Sequence, residues 1–362
     1  MTVLLVAAGD PELTSTWSGV PNRIVRELRK QGHEVLCRDY EDVIWIKPFR
    51  IFYNRIVRRV VPGWFWRMFQ CTRFGIALHS RWLVSLVRRL TRAGQRIDLV
   101  IAMSYCFDGI RLGVPLVLVH DWTNGYLAEL FGETVRARAL AFDAATFRAM
   151  QQAAKVVTLY PVSAAYLRAA VGDKVSFVCN PINVEGEQPA VSARPSRNIL
   201  LVGGSTYQPN VETVLAAVDL LNDPSVTVDV VGRTEAATKP TCCTVRFHGY
   251  LNQDNPTDRA TYERLFANAA VFVNVRRNWC GGSSVAEALY RGVPVLVSEN
   301  AEISSLYGSV VEMCPAEDAV TLAERLRTFF ARSADDRLEQ AKHAAALVRD
   351  DTYARFVAAL VS

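Results

Sequence analysis

Short apolar runs alternate with helix-length segments from the first residues of the chain, and the alternation starts afresh halfway along. Val3 to Ala8 is the first such run, followed by a loop with Gly9, Ser18 and Gly19, a helical stretch from about Pro21 to Gln31, and a second strand at Glu34 to Cys37. Parallel strands need a crossover between them, so this order opens a parallel sheet. Further strands are predicted at Leu99 to Met103, Pro115 to Val119, Lys155 to Leu159 and Ser176 to Cys179, with a helical segment over Tyr126 to Gln152. After Asn183 the stretch EGEQPAVSARPS, polar and punctuated by prolines, predicts a linker. The pattern then restarts, with strands at Asn198 to Val202, Val226 to Val231, Val245 to Phe247, Val271 to Val273, Pro294 to Val297 and Val310 to Met313. Helices are expected between them at Val211 to Leu221, Thr257 to Ala269 and Val285 to Tyr290, and a last helical stretch at Ala334 to Leu360. The expected organisation is a first α/β domain over 1–184, a linker over 185–197 and a second α/β domain over 198–340. A closing helix over 341–362 has the option of crossing back to the first domain. Ligands of such folds bind in the crevice at the C-terminal ends of the strands, here expected between the two sheets.

A chain of 362 residues, half of them hydrophobic, has enough apolar surface for two cores. The opening MTVLLVAAGD has no basic lead and meets Asp10 early, so it reads as a buried strand rather than a signal peptide. No stretch has the roughly 18 uninterrupted apolar residues of a membrane span. The eight cysteines are scattered, with no CxxC or Cys/His ligand spacing, as expected of reduced thiols. A cytoplasmic protein is expected, with peripheral contact at the inner face of a membrane as a further option.

That option comes from charge. The net charge is +5, but between Val43 and Ile97 there is no Asp or Glu, while twelve Lys and Arg fall there, leaving 29 basic against 36 acidic residues elsewhere. Phe49, Phe52, Tyr53, Ile56, Val57 and Val60 recur at helical spacing with Arg50, Arg55, Arg58 and Arg59 elsewhere on the wheel, an amphipathic basic helix. The aromatics of WFWRMF follow, and a second stripe of Trp82, Leu83, Leu86, Val87 and Leu90 carries Arg81, Arg88, Arg89 and Arg92. Two readings stand side by side: contact with an anionic membrane surface or anionic acceptor through Arg50, Arg55, Arg58, Arg59, Arg88 and Arg89, or two core helices with solvated arginines.

The most pointed chemistry lies in NWCGGSSVAEALYRGVPVLVSEN, residues 278–300. A turn of Gly281, Gly282, Ser283 and Ser284 running into a helix leaves backbone N–H groups unpaired where the helix dipole favours an anion, which is a phosphate seat. Glu287 lies one turn further on, within reach of two neighbouring hydroxyls, as on a ribose. The alternative is an ordinary capped surface helix with a solvated glutamate.

In order and spacing these segments resemble the glycosyltransferases of the GT-B fold, two Rossmann-like domains facing across a cleft, and within them the large retaining family 4. SVAEALYRGVPVLVSENAEI is similar to that family's "LEAMAxGxPVVxS" block, and ILLVGGSTYQPNVETV to the strand-loop-helix that opens its C-terminal domain. RFHGYLN, WSGVPN with RELRKQGHEV, PLVLVHDW and FVCNPINVEG fit the same scheme. The resemblance implies hexosyl transfer from a nucleotide-diphosphate sugar to a glycan or lipid-linked acceptor, in polysaccharide or glycoconjugate biosynthesis. It further implies Glu287 on the donor ribose and Gly19, Gly204, Ser205, Gly281, Gly282, Ser283 and Ser284 about the diphosphate. Tyr250 or Leu251 would present backbone to the base, and His120, ending the strand LVLVH, would contact the donor sugar. Asp121 has two readings, orienting His120 or capping the helix that begins near Asn124. There are departures. The family's first acid would stand at position 279, which is Trp279, and its phosphate-binding Arg and Lys are absent from GGSTYQPN. Arg276, helped by Arg277 or Arg233, would supply that charge. No D-x-D triplet occurs, so no metal is expected. A nicotinamide dehydrogenase is disfavoured because G-x-G-x-x-G is missing after the first strand. Nucleic-acid binding would explain the arginines but not Glu287. The remaining rival is a GT-B-shaped nucleotide-binding partner subunit without turnover.

Overall fold

A computed structural model of the chain describes residues 1–60, 69, 72–103, 107–108, 111–132, 137–184, 188–191, 196–203, 208–236, 242–277 and 282–362, the side chains of 54, 56–60, 124, 137–142, 208 and 209 excepted. The chain divides into two compact units, one of Met1–Cys179 together with Thr352–Ser362, the other of Asn180–Asp351.

The first unit runs β1 (Thr2–Ala7), α1 (Val20–Lys30), β2 (Glu34–Asp39), α2 (Lys47–Val60), α3 (Arg73–Arg92), β3 (Leu99–Met103), β4 (Leu116–His120), α4 (Asn124–Leu130), α5 (Ala137–Gln152), β5 (Lys155–Thr158), α6 (Pro161–Val171) and β6 (Val175–Phe177). The strands pair in parallel in the order β2-β1-β3-β4-β5-β6, with Leu5 opposite both Cys37 and Ile101. Crossover helices cover both faces of such a sheet, and Val3, Leu4, Leu5, Val6, Val100 and Ile101 are accordingly fully buried. The expected single helix over Tyr126 to Gln152 is two, α4 and α5, with Gly132 in the left-handed region at φ 63° just after the first.

The second unit continues with β7 (Asn198–Val202), α7 (Gln208–Leu221), β8 (Thr227–Val231), β9 (Thr244–Gly249), α8 (Pro256–Asn268), β10 (Val271–Asn274), α9 (Ser283–Tyr290), β11 (Val295–Ser298), α10 (Ala301–Tyr307), β12 (Glu312–Cys314), α11 (Ala319–Ala331) and α12 (Ala334–Leu347). Its sheet is again parallel, in the order β12-β11-β10-β7-β8-β9. The described part of the segment expected as a linker is fastened to this unit. Gln188 Nε2 donates to the carbonyls of Tyr290 (3.1 Å) and Ala345 (2.8 Å). A Cβ on Gly292 would come within 2.7 Å of Val191.

The helical stretch expected from Ala334 to Leu360 is broken after Val348. Thr352 Oγ1 accepts from Arg355 N (3.3 Å) and starts α13 (Tyr353–Val361). This last helix belongs to the first unit, where Phe356, Val357 and Leu360 are buried and Lys155 Nζ donates to Ala359 O at 2.9 Å and to Ser362 Oγ at 3.0 Å. Phe356→Ala is therefore expected to destabilise the first unit by about 3–5 kcal/mol. Thermal unfolding followed by hydrogen exchange should show the loss in β1, β3 and α1 rather than in α7 to α12, and protection lost only in the second unit would contradict the assignment.

Candidate functional site

In the second unit the chain runs from β7 outward through β8 and β9, then returns to the other side of β7 to build β10, β11 and β12. The sheet therefore has its switch point between β7 and β10, where the loops after the two strands diverge and leave a crevice at the C-terminal edge. Both donor segments of the sequence start there. α9 follows β10 and opens at Gly282 with no side-chain cap and no acid in its first turn. Its intrahelical bonding begins with Ala286 N to Gly282 O (2.7 Å), so the N–H groups of Ser283, Ser284 and Val285 precede the ladder. Gly282 is buried and the two serines are half-buried. Gly204, Ser205, Trp279 and Gly281 lie outside the described residues.

Glu287 is not a solvated surface residue. It is 7% exposed, and its Oε2 accepts from the Tyr262 hydroxyl at 2.9 Å and lies 3.6 Å from Arg291 Nη1. Arg291 is itself buried, donates Nε and Nη2 to the two carboxylate oxygens of Glu263 at 2.8 and 2.7 Å, and stacks over Phe266 at 4.6 Å. A planar guanidinium suits both contacts at once, with a bidentate fork on one edge and a flat face for the ring. Burial opposes the Arg291 charge, but hydrogen bonding to Glu263 and the charge of Glu287 leave its pKa raised. Burial first, and Glu287 next, hold the Tyr262 hydroxyl well above the ordinary phenol range, so it donates to the carboxylate rather than losing its proton. The sequence placed Tyr262 on the right helix but left Arg291 and Glu263 unnoticed. The signal for Arg291 was its i, i+4 spacing from Glu287, whereas Glu263 lies on α8 and no local pattern links it to them.

The cations expected beside this turn are partly engaged. Arg276 follows β10, and its carbonyl accepts from Ser298 Oγ at 2.8 Å, tying the loop to the end of β11. Arg277 instead hydrogen-bonds and pairs with Glu317, and Arg233 Nε donates to Glu235 O at 3.1 Å. Tyr250 is 68% exposed, beyond Gly249, whose φ of 65° turns the chain after β9. One residue was missed altogether. Asn274, at the end of β10, is fully buried, and neither atom of its amide has a hydrogen-bond partner among the described residues. Such a group costs about 1–3 kcal/mol in an apolar interior, so it marks a place where another partner is called for. His248, by contrast, is structural, with Nε2 2.7 Å from the buried Asp229.

The first unit has its switch point between β1 and β3. After β1 the chain passes through Trp17, Ser18 and Gly19, all in the left-handed region at φ 45°, 55° and 82°, before α1 begins at an uncapped N-terminus with Gly19 as its cap residue. Only glycine takes this conformation without strain, so Trp17 and Ser18 hold it against about 1 kcal/mol each. His120 ends β4 and is wholly buried, and burial keeps its pKa well below the usual imidazole value, so it is a neutral ring. Asp121 does not cap α4. Thr123 does, its Oγ1 accepting from Tyr126 N at 3.4 Å. Burial pushes the Asp121 carboxyl up to about 7, and its Oδ1 has no hydrogen-bond partner among the described residues.

The basic segment splits in its behaviour. Trp82, Leu83, Leu86, Val87 and Leu90 of α3 are buried in the core, while Arg88 and Arg89 stay exposed. On α2, Phe49, Ile51 and Phe52 are exposed at 48%, 43% and 67%. Arg50, expected at a membrane surface, pairs with Glu41 at 2.9 Å, Arg55 is exposed, and the side chains of Arg58 and Arg59 and residues 64–68 of WFWRMF fall outside what is described, while Phe69, the last aromatic of that stretch, is buried in the core. No helix among the described residues is long and apolar enough to cross a membrane.

Solved structures share this architecture. The α,α-trehalose-phosphate synthase (UDP-forming) from Burkholderia vietnamiensis is similar at a TM-score of 0.63 and 14% identity, covering 99% of both chains. Sucrose-phosphate synthase from Thermosynechococcus elongatus is similar at 0.64 and 14% identity, covering 99% of this chain and 94% of its own. A TarM mutant from S. aureus, solved with fondaparinux, α-GlcNAc-glycerol and UDP, is similar at 0.54 and 9% identity over 76% of this chain and 57% of its own. At such identities the likeness establishes the fold alone: two Rossmann-like units, the GT-B fold. In sequence, residues 212–362 match the family described as glycosyl transferase-like, a span that contains α8, α9, Tyr262, Glu287 and Arg291. No curated protein matches the chain in sequence.

Asp121 gives the first unit a pH signature. Its pKa rises from 3.8 to about 7 on folding, so between those values the folded chain binds a proton that the unfolded chain has released. Stability is then greatest at acid pH and falls as pH rises through that window, by up to about 4 kcal/mol. Asp121→Asn is expected to remove this slope and to unfold at a higher temperature than wild type at pH 8. Parallel melting curves of the two proteins from pH 5 to 8 would refute it.

Proposed function

We propose that the chain is a retaining glycosyltransferase of family 4, moving a hexosyl group from a nucleotide-diphosphate sugar to a glycan or lipid-linked acceptor without a metal ion. The observation that carries this reading is the uncapped N-terminus of α9 at the β7/β10 switch point, with Glu287 held by Tyr262 and Arg291 one turn away. The match of the same residues to a glycosyl transferase-like family supports it, as does the UDP in the TarM complex of similar fold.

Transfer from such a donor develops negative charge on the leaving diphosphate and positive charge on the sugar. In this reading the N–H groups at Ser283, Ser284 and Val285 accept the diphosphate, and Arg276 neutralises it, so stabilisation is in place before the bond breaks. Gly282 is assigned to the same diphosphate, as are Gly204, Ser205 and Gly281, which lie outside the described residues, and Gly19 of the first unit. Glu287 binds the ribose hydroxyls, and its two fixed partners hold the carboxylate in position without requiring it to reorganise. Tyr250 presents backbone to the base, Arg233 adds positive charge, and the Asn274 amide is satisfied by the bound donor. His120 meets the sugar as a neutral hydrogen-bonding ring, since its buried imidazole is not a cation near neutral pH. Retention of configuration is carried by the resemblance to family 4, and independence of metal by the absence of a D-x-D triplet. The second reading, a nucleotide-binding partner subunit without turnover, is motivated by Trp279 at the position of the family's first acid.

Glu287→Ala would remove one member of a buried charge network and destabilise the fold by about 3–5 kcal/mol, confusing binding with folding. Glu287→Gln keeps an acceptor for Tyr262, and it is expected to weaken nucleoside-diphosphate binding about tenfold or more with a modest loss of stability. A thermal-shift series with UDP, GDP, ADP and their sugars reads this directly. Unchanged shifts in the variant would remove Glu287 from the site, and turnover of any labelled sugar nucleotide would exclude the partner-subunit reading. Activity should survive a chelator; complete loss restored by Mg²⁺ would overturn the metal-free mechanism.

The acceptor side of the reading rests on α2, whose exposed Ile51 and Phe52 line one groove with Lys47, Arg55 and the exposed Ile44. Such a face gains both apolar burial and attraction to an anionic leaflet. Binding to anionic but not neutral vesicles is expected, weaker in salt and reduced by Phe52→Ser with Arg55→Glu. Equal partitioning of variant and wild type would leave a soluble acceptor.

A further inference from the structure

The first unit contains a cavity of about 1000 Å³ bounded by one face of α3, by the segment ahead of α2 and by the loop that follows β3. Arg81, Arg88 and Arg92 reach it from α3 at helical spacing, on the side of the helix opposite the buried stripe that ends with Leu90. Arg89 and Arg111 join them, and Asp108 is the single carboxylate among the described lining residues. The five arginines are exposed, and none of the five guanidinium groups has an ion-pair or hydrogen-bond partner among the described residues. Basic residues nearby behave otherwise. Lys47 pairs with Asp42, Arg50 with Glu41 and Arg96 with Asp98, so carboxylates within the unit are spent on cations outside the cavity.

Five like charges converging on one concavity repel one another, and one aspartate does not balance them. All five are arginine, whose planar fork matches the oxygens of a phosphoryl group two at a time. A monovalent anion would leave most of the excess charge in place, whereas a group of two or more charges would offset it. We propose that this cavity binds a phosphoryl or diphosphoryl group carried by a ligand other than the nucleotide donor. The inference does not rest on the transferase reading, because the cavity belongs to the first unit and Glu287 to the second. The phosphate can be presented by a lipid headgroup or by a soluble phosphorylated compound, and the chemistry of recognition is the same.

The test is calorimetric titration of the full chain with inorganic pyrophosphate. Arg88→Gln with Arg92→Gln is compared with wild type and with Arg73→Gln, an exposed arginine of the same helix that does not line the cavity. The double variant is expected to bind pyrophosphate about tenfold or more weakly at the affected site. Arg73→Gln should match wild type, and the melting shifts produced by UDP, GDP and ADP should be the same in all three proteins. An unchanged pyrophosphate isotherm in the double variant, or an equal loss in Arg73→Gln, overturns the proposal. A change in the nucleoside-diphosphate shifts alone would instead count against the donor site described above. Vesicles of phosphatidylglycerol in phosphatidylcholine form the second arm. Weaker capture of the double variant than of wild type, alongside pyrophosphate binding, assigns the phosphate to a lipid. Pyrophosphate binding with equal capture of the two, or with no capture, assigns it to a soluble compound. Capture without pyrophosphate binding describes a charged surface rather than a site, and overturns the proposal.

Discussion

Parallel pairing is the constraint on which the rest of this structure depends. When every strand of a sheet runs the same way, each connection must cross over, helices cover both faces, and every loop that follows a strand emerges at one edge. Residues far apart in sequence are thereby gathered. Gly19 follows β1 and His120 ends β4 at one edge of the first sheet, while Asn274 ends β10 and Arg276 and the start of α9 follow it at the corresponding edge of the second. In each unit an uncapped helix N-terminus introduced by glycine lies next to the strand where the order reverses. Anionic ligands favour such positions because the orphan N–H groups and the dipole act in the same direction.

The two units manage charge in opposite ways. Around α9 the buried charges are mutually satisfied, Arg291 bridging Glu263 and Glu287 while Tyr262 donates to the latter. A carboxylate could not be held at this depth without such partners, and the same partners leave it rigid. The first unit instead keeps an apolar face of α3 in the core and turns toward a cavity five arginines that are unpaired among the described residues. Surface arginines alone have little effect on stability, so the arrangement is explained by what it attracts rather than by what it holds together.

The strand positions of both halves were legible because buried parallel strands are nearly unbroken apolar runs, such as Val3 to Val6 and Val271 to Val273, bounded by glycine and polar turns. The helix carrying Glu287 was legible for a related reason, since a glycine-serine turn before Val-Ala-Glu-Ala-Leu marks a helix start. Boundaries were less so. The helical pattern from Ala334 onward conceals the Thr352 cap, and the polar stretch read as a linker is fastened by Gln188 to two carbonyls distant in the chain.

By itself the sequence determined which segments are strands, that each half forms its own parallel sheet, and that a glycine-serine turn and a carboxylate stand together on one helix. These follow from periodicity and turn chemistry, which act between residues a few positions apart. Only the tertiary structure decided that Glu287 is buried against Tyr262 and Arg291, that Arg50 is taken by Glu41 while Arg88 and Arg92 face a cavity, that His120 is wholly enclosed, and that the last helix returns to the first unit. Each of these depends on which faces of distant elements meet, and local pattern carries no record of that.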